Sequence, residues 1–158
     1  MNTIEHLNNL TRHINLVRDA CELLGRRLIE KGEENLGIQL IARGYKHDVS
    51  KFFGPEWDFL HNGTNVPDKE LKYAINCHQS GNDHHPEFWG GIEEMPRVAI
   101  AEMVADWYAR GQEFGTSLRD WIDETAVERY NINKRGKHYK WIKEFVDILL
   151  FNTFVKTA

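Results

Sequence analysis

The chain has few of the features that mark secreted, membrane-spanning or nucleic-acid-binding proteins. It contains 2 cysteines in 158 residues, and Cys21 and Cys77 form no CxxC pattern, so we expect free thiols in a reducing compartment. No apolar run approaches the roughly 20 residues that span a bilayer, and the first residues lack the basic and apolar regions of a signal peptide. A net charge of −4 gives no support for binding nucleic acids or membrane surfaces through bulk charge. We therefore expect a cytoplasmic protein with no membrane partner and no polymeric nucleic-acid partner.

The composition is that of an ordinary folded domain, with 41% hydrophobic and 28% charged residues, and its length suits one domain over residues 1–158. Apolar residues recur at steps of three and four, which predicts amphipathic helices. No strand pattern and no repeat stands out. We expect an all-α bundle of five to seven helices, near residues 3–31, 36–53, 68–77, 96–110, 117–130 and 137–154, with loops at 54–68 and 79–86.

Histidines and carboxylates are the most informative residues, because several of the 8 histidines occur in an order that suits metal binding. Imidazole nitrogens and carboxylate oxygens are the ligand types of Mn, Fe, Co, Ni and Zn sites. The spacings are too wide for one local loop, so the whole fold has to assemble any such site. The candidates for one or two divalent ions are His13, His47, Asp48, His78, His84, His85 and Asp106.

The doublet His47–Asp48 is predicted to lie on the second helix, where neighbouring side chains point about 100° apart and leave room for an ion between them. Lys51 follows within one turn, and its ammonium group suits a phosphate oxygen. The alternative is a solvated His-Asp pair beside a solvated lysine. Gly44, one turn earlier, has no side chain and allows another backbone to approach closely.

Glu102 and Asp106 lie one turn apart on a helix that is otherwise rich in apolar residues. Buried carboxylates without partners are costly, and a bound cation would offset that cost. The alternative is that this edge of the helix faces water.

The segment from His78 to His85 contains the densest group of histidines. Because His85 precedes Pro86, its backbone is biased towards an extended conformation, and we expect His84 and His85 to point in different directions. One of these two would then be a ligand together with His78. The alternative is a set of hydrogen-bonded loop histidines without a metal.

The remaining histidines carry less information. His13 is either a ligand or a hydrogen-bonded histidine at the seam of the first helix. His6 and His61 are expected to be bystanders. His138 follows a basic stretch, so we expect it at a solvated helix start.

The order His13, His47–Asp48 and Asp106 resembles that of the HD superfamily of metal-dependent phosphohydrolases. Residues 12–17 (RHINLV) are similar to the superfamily's first-histidine helix, and residues 47–51 (HDVSK) are similar to its HD-x-G/S-K run. Residues 84–89 (HHPEFW) and 102–107 (EMVADW) also resemble those of a small group of bacterial and phage proteins. The likeness extends over roughly residues 10–110. It departs from the usual two-histidine arrangement in the loop 79–91.

The resemblance implies metal-assisted hydrolysis of a nucleotide or another small phosphate ester. A first ion would be held by the superfamily's four ligands, and a second by His78 and either His84 or His85, with Asp48 bridging. Lys51 would neutralise charge on the phosphate, and Glu102 would either position water or hold a ligand histidine. The resemblance implies that the first-ion ligands would be His13, His47, Asp48 and Asp106.

Some points stay open at the level of sequence. Trp89 or Trp107 could stack on a nucleotide base, although core packing is the alternative for each. Homo-oligomers are compatible with the sequence. Two other functions remain: an HD-like di-iron oxygenase, and a non-catalytic phage or bacterial accessory protein whose five tryptophans mark an interface.

Overall fold

The computed structural model describes residues 3–60 and 65–151, and these residues form helices joined by turns, with no strand among them. The all-α prediction is confirmed. The α-helices are α1 Thr3–Glu30, α2 Glu34–Gly44, α3 Gly54–Phe59, α4 Asp68–Gly81, α5 Pro86–Trp89, α6 Arg97–Phe114, α7 Leu118–Trp121, α8 Val127–Arg129 and α9 Lys137–Leu149. Short 3-10 helices occupy Val49–Phe52 and Ile92–Glu94, and a π-helical turn, Ile122–Ala126, joins α7 to α8.

Helix α6 lies at the centre of the fold and packs against α1, α2 and α9. Its residues from Ala99 to Ala105 are all buried, so this part of the helix is covered on every side. Helix α1 supplies the largest facing surface, with Val17, Leu24 and Leu28 fully buried. A polar group in this buried part of α6, such as Glu102, is therefore surrounded by the packed core. Within the described ranges, no helix is both long and apolar enough to cross a membrane.

Helices α1 and α2 approach closely through glycines. A Cβ atom built on Gly37 would lie 2.4 Å from the carbonyl oxygen of Gly25, and one built on Gly44 would lie 2.7 Å from the Cβ of Cys21. The close approach expected at Gly44 is confirmed, and Gly37 extends it by two helical turns. The contact brings the end of α2, and hence the His47–Asp48 turn, against α1.

We expect Gly37→Ala to lower the free energy of unfolding. The added methyl group would meet the backbone of Gly25 as well as the side chain of Ile29. Such overpacking costs about 1–3 kcal/mol, and we expect this cost to exceed the roughly 1 kcal/mol gained in helix propensity. Gly81 ends α4 with no atom within 4 Å of a built Cβ, so Gly81→Ala is the matched control and should be neutral or slightly stabilising. Denaturant unfolding measures both variants. Equal stability of the two would contradict the packing argument.

The prediction that the second helix continues to residue 53 is wrong, because α2 ends at Gly44. The chain turns after α2, and Asp48 adopts a left-handed backbone conformation with φ 56°. An α-helix cannot continue through such a residue. The turn directs both His47 and Asp48 into the protein interior, whereas a continuous helix would have directed them about 100° apart.

Other predicted boundaries also shift. Residues 54–59, expected in a loop, form α3 with Pro55 in its first turn, where proline is favoured. Helix α4 runs on to Gly81, into the segment expected as the loop 79–86. Helix α6 runs through Gly111 to Phe114 and ends at Gly115, whose φ of 68° suits a helix C-terminus. Helix α9 ends at Leu149; residues 152–158 and His61 lie outside the described parts of the chain.

Candidate metal centre

The side chains predicted as metal ligands converge on one cluster between α1, α4, α6 and the turns that follow α2 and α4. Five of them are buried, and the other two are partly exposed. Helix α1 supplies one ligand, the turn after α2 two, α4 one, the segment before α5 two and α6 one. In chain order these are His13, His47, Asp48, His78, His84, His85 and Asp106.

A first group of atoms surrounds one oxygen of Asp48. The Nε2 atom of His47 lies 3.3 Å from Asp48 Oδ2, and His13 Nε2 lies 3.8 Å from the same oxygen. His13 Nε2 is also 3.2 Å from Asp106 Oδ1. Atoms held about 2.0–2.2 Å from a common ion are separated by roughly 3–4 Å. These four side chains could therefore hold one ion.

A second group lies around the other oxygen of Asp48. His84 Nε2 is 3.3 Å and His78 Nε2 is 3.5 Å from Asp48 Oδ1. His85 Nε2 lies 3.0 Å from His78 Nε2, and the three histidines have ligand atoms within 4.8 Å of one another. The two oxygens of Asp48 thus face different groups, as those of a carboxylate shared by two ions would.

The expectation that His84 and His85 point in different directions is wrong. His85 does have the extended backbone expected before Pro86, with φ −102° and ψ 137°. Its ring nevertheless lies beside that of His84, with centroids 4.3 Å apart. Both rings therefore reach the cluster, and both histidines remain candidate ligands.

Three carboxylates outside the cluster orient its histidines. The Nδ1 atom of His47 is 2.9 Å from Glu102, that of His13 is 3.1 Å from Glu113, and that of His78 is 2.8 Å from Glu56. An Nδ1–H that donates to a carboxylate leaves the Nε2 lone pair directed into the cluster. Each such pair has the geometry of a carboxylate–histidine–metal triad.

Two of these outer carboxylates, Glu113 and Glu56, were not predicted from the sequence. Glu113 follows Asp106 by seven residues, two helical turns, so its position on the same face of α6 could have been found. Glu56 lies in a segment predicted as a loop, and no spacing relates it to His78. For Glu102, the role of holding a ligand histidine fits the geometry: its other oxygen accepts from Arg43, which leaves little capacity to position water.

The residues fit a metal because several of their buried polar atoms have no hydrogen bond. Within the described ranges, buried atoms without a hydrogen-bond partner include His13 Nε2, His47 Nε2, His84 Nε2, Asp48 Oδ1 and Asp106 Oδ1. Such atoms are costly to bury, yet here they all face one another. A cation among them would satisfy them together. The buried His/Asp groups could therefore hold a metal ion.

The cluster is strongly polarised without an ion. Burial opposes the charged form of His47, but the carboxylates of Asp48, Glu102 and Asp106 outweigh it and raise the pKa of His47 to about 10. Burial lowers the pKa of His78 to about 3, aided by the charge of Lys51. At neutral pH this raised pKa favours a proton on His47, and that proton would have to leave before His47 Nε2 could act as a metal ligand.

Lys51 reaches the cluster, although from a 3-10 helix and not from the predicted α-helix. Its Nζ atom lies 2.6 Å from Asp48 Oδ2, and its side chain is largely buried. The same side chain lines a cavity of about 880 Å³ next to the cluster. The cavity therefore begins at the candidate ligands and continues along α6.

The far part of this cavity is aromatic. Trp107 lines it and stacks on Tyr130, with ring centroids 5.8 Å apart and an interplanar angle of 17°. Trp121 also lines the cavity, with its ring centroid 4.9 Å from that of Trp107. Trp89 is not part of the lining, and its indole N–H donates to the carbonyl oxygen of Asp83. Of the two predicted stacking residues, Trp107 alone lies at the cavity.

Arg43 links the elements that carry the ligands. Its Nε donates to Glu102 at 2.6 Å, and its two terminal nitrogens donate to Asp83 at 2.5 and 3.1 Å. Glu102 holds His47, while Asp83 immediately precedes His84. One side chain on α2 thus fixes α6 and the histidine segment relative to each other, and sequence patterns gave no indication of it.

Arg43→Lys should weaken metal binding while leaving the fold intact. Lysine keeps the charge but cannot make the bidentate contact to Asp83 and also reach Glu102. Loss of an outer partner typically costs about 10–100-fold in metal affinity. Competition with a chelator measures that affinity. Arg97, which bonds to Glu33 and Glu144 away from the cluster, gives the control Arg97→Lys; equal metal affinities in the two variants would contradict the role of Arg43.

His138 is not at a solvated helix start, contrary to expectation. Its side chain is buried at the start of α9, with Nδ1 3.0 Å from a Glu93 oxygen and Nε2 3.1 Å from the Met95 carbonyl oxygen. It anchors α9 to the segment before α6. It is a structural residue outside the cluster.

Comparison with known proteins gives a family but no function. No curated protein and no solved structure matches the chain significantly. A family model matches residues 2–149, which include every candidate ligand and the helices that carry them. The chain therefore belongs to DUF5662, a family of unknown function.

Proposed function

We propose that the protein is a metal-dependent phosphohydrolase of the HD type that acts on a nucleotide or another small phosphate ester. The observation that carries the proposal is the convergence of unpartnered imidazole nitrogens and carboxylate oxygens at one end of a cavity that also contains a buried lysine. The order of these residues along the chain resembles that of the HD superfamily. The family match neither assigns nor opposes an activity.

The ligands divide into two sets that share Asp48. His13, His47 and Asp106 complete the first set, and His78, His84 and His85 the second. Imidazole and carboxylate together suit Mn, Fe, Co, Ni or Zn. Bound divalent ions of this kind activate water at neutral pH and stabilise negative charge on phosphoryl oxygens.

The protein's own groups then prepare the site. Glu102, Glu113 and Glu56 hold the imidazole rings in one tautomer and orientation. Lys51 places an ammonium group at the edge of the cavity, next to Asp48, where it can offset charge on a substrate phosphate. The volume of about 880 Å³ is in the range of pockets for small ligands.

An HD-like di-iron oxygenase is the second candidate. The observation that favours it is the pair of imidazole-rich ligand sets on the two oxygens of a single carboxylate, which also suits two irons. It differs from the phosphohydrolase in needing iron and oxygen, and in giving the lysine no phosphate to bind. A non-catalytic accessory protein would need neither ion for turnover.

Elemental analysis combined with a substrate screen tests these alternatives. We expect about two equivalents of a transition metal, a higher melting temperature with metal than with chelator, and hydrolysis of nucleoside phosphates or simple phosphate esters with Mn, Co, Mg or Fe. Iron with aerobic colour and no phosphate release would favour the oxygenase. No bound metal and an unchanged melting temperature in chelator would overturn the metal centre altogether.

A further inference from the structure

The cavity continues past the candidate ligands and becomes cationic. Asp106 is the single carboxylate among the described residues that line it, and that carboxylate belongs to the ligand cluster. Lys51, Arg110 and Arg129 line the same cavity. A basic lining beyond the metal centre exceeds what one phosphate group at the ligands needs.

The guanidinium group of Arg110 is positioned by a carboxylate on the same helix. It lies four residues after Asp106 on α6, about 6 Å further along the helix axis. Its Nη1 atom donates to Glu113 Oε2 at 3.1 Å, and the same oxygen faces Nδ1 of His13. This contact fixes the guanidinium group at the cavity and leaves its remaining N–H groups available.

Arg129 enters from α8 on the aromatic side. Its guanidinium carbon lies 5.3 Å from the ring centroid of Tyr130, which in turn stacks on Trp107. No carboxylate in the described parts of the chain forms an ion pair with it. A planar guanidinium group with free donors next to an aromatic wall is suited to a phosphate group attached to a planar or apolar body.

We propose that Arg110 and Arg129 form a second anion-binding position, and that the substrate is a small phosphate ester carrying a second phosphate group. The inference rests on the phosphohydrolase proposed above. One phosphate would lie at the metal ligands and Lys51. The second would be bound by the two arginines, with the organic part along Trp107 and Tyr130.

Paired substrates test this position in the metal-loaded protein. We expect the wild type to favour a nucleoside diphosphate or bisphosphate over the corresponding monophosphate. Arg129→Gln should raise KM for the doubly phosphorylated substrates about fivefold to tenfold, as expected for one charge-assisted contact from an exposed arginine, with kcat little changed. KM for the monophosphate should stay as in wild type, and Arg129→Lys should recover part of the loss.

The control is Arg119→Gln, because Arg119 is a partly exposed arginine on α7 that pairs with Asp147 and does not line the cavity. An equal effect of Arg129→Gln on both substrate classes, or no effect, would overturn the second position. If the wild type hydrolyses no phosphate ester, the proposed function fails, and calorimetry with inorganic phosphate and pyrophosphate decides the binding question. A pyrophosphate preference that Arg129→Gln abolishes supports the position, and its absence refutes it.

Discussion

Asp48→Asn is expected to lose both ions of the proposed metal centre and, with them, the proposed hydrolytic activity. Asp48 Oδ2 faces His13 and His47, while Oδ1 faces His78 and His84. An amide replaces one oxygen with a hydrogen-bond donor and removes the negative charge. Since loss of an outer partner alone costs about 10–100-fold in metal affinity, removal of the shared ligand should cost more than about 100-fold at both positions.

Asparagine is a better replacement than alanine at this position. Asp48 has a left-handed backbone with φ 56°, and Asn131 shows that this protein accommodates asparagine in the same region, with φ 49°. Alanine there would add a backbone cost of about 1–2 kcal/mol, which would confuse loss of metal with loss of stability. Asparagine changes the ligand chemistry of the side chain without that backbone cost.

Metal analysis after dialysis and circular dichroism together read out this variant. Asp19→Asn makes the same chemical change at an exposed site on α1 and should keep wild-type metal content. Full stoichiometry in Asp48→Asn would remove the carboxylate from the centre. Loss of one equivalent with retention of the other would show that Asp48 does not bridge.

Lys51→Met is expected to slow the proposed phosphate-ester hydrolysis by about 100- to 1000-fold while leaving the proposed metal centre occupied. Stabilisation of transition-state charge by one such group is typically worth about 2.7–4 kcal/mol. The structure also indicates the direction in which metal affinity should change. Lys51 Nζ lies 2.6 Å from Asp48 Oδ2, so the substitution removes a positive charge that competes with a cation for this oxygen. Metal affinity should therefore be unchanged or higher.

Lys46→Met provides the matched control, since Lys46 is an exposed lysine in the same turn region. Steady-state kinetics with the best phosphate substrate, beside metal analysis, separates the roles. A Lys51→Met variant as fast as wild type would remove the lysine from the mechanism and leave the metal ligands in place. An oxygenase would show a much smaller effect on its own reaction, because no phosphate needs the ammonium group.

Residue type and chain order predicted which side chains would form the cluster of candidate ligands. Imidazoles and carboxylates can be identified as possible metal ligands from the sequence, without knowledge of where the fold places them. Periodicity predicted α1 and α6, whose apolar residues repeat over many turns. The turn at Asp48 could not be predicted from periodicity, because the apolar pattern continues past Gly44. The backbone instead turns there and buries two polar side chains, His47 and Asp48. The roles of Arg43 and Glu56 could not be predicted for another reason. Their partners lie far away in sequence, and only the packing of the helices brings them together.

The burial of helix α6 limits which substitutions could alter the proposed substrate preference of this protein. Its residues from Ala99 to Ala105 are all buried, and the same helix carries Glu102, Asp106, Arg110 and Glu113. The groups that would contact ions and substrate therefore lie on a helix that is packed into the core. A substitution that repacks the core around α6 would also displace these groups. Variation in substrate preference should accordingly arise at positions outside that helix, such as Arg129 on α8, where a side chain can be exchanged at little cost in stability.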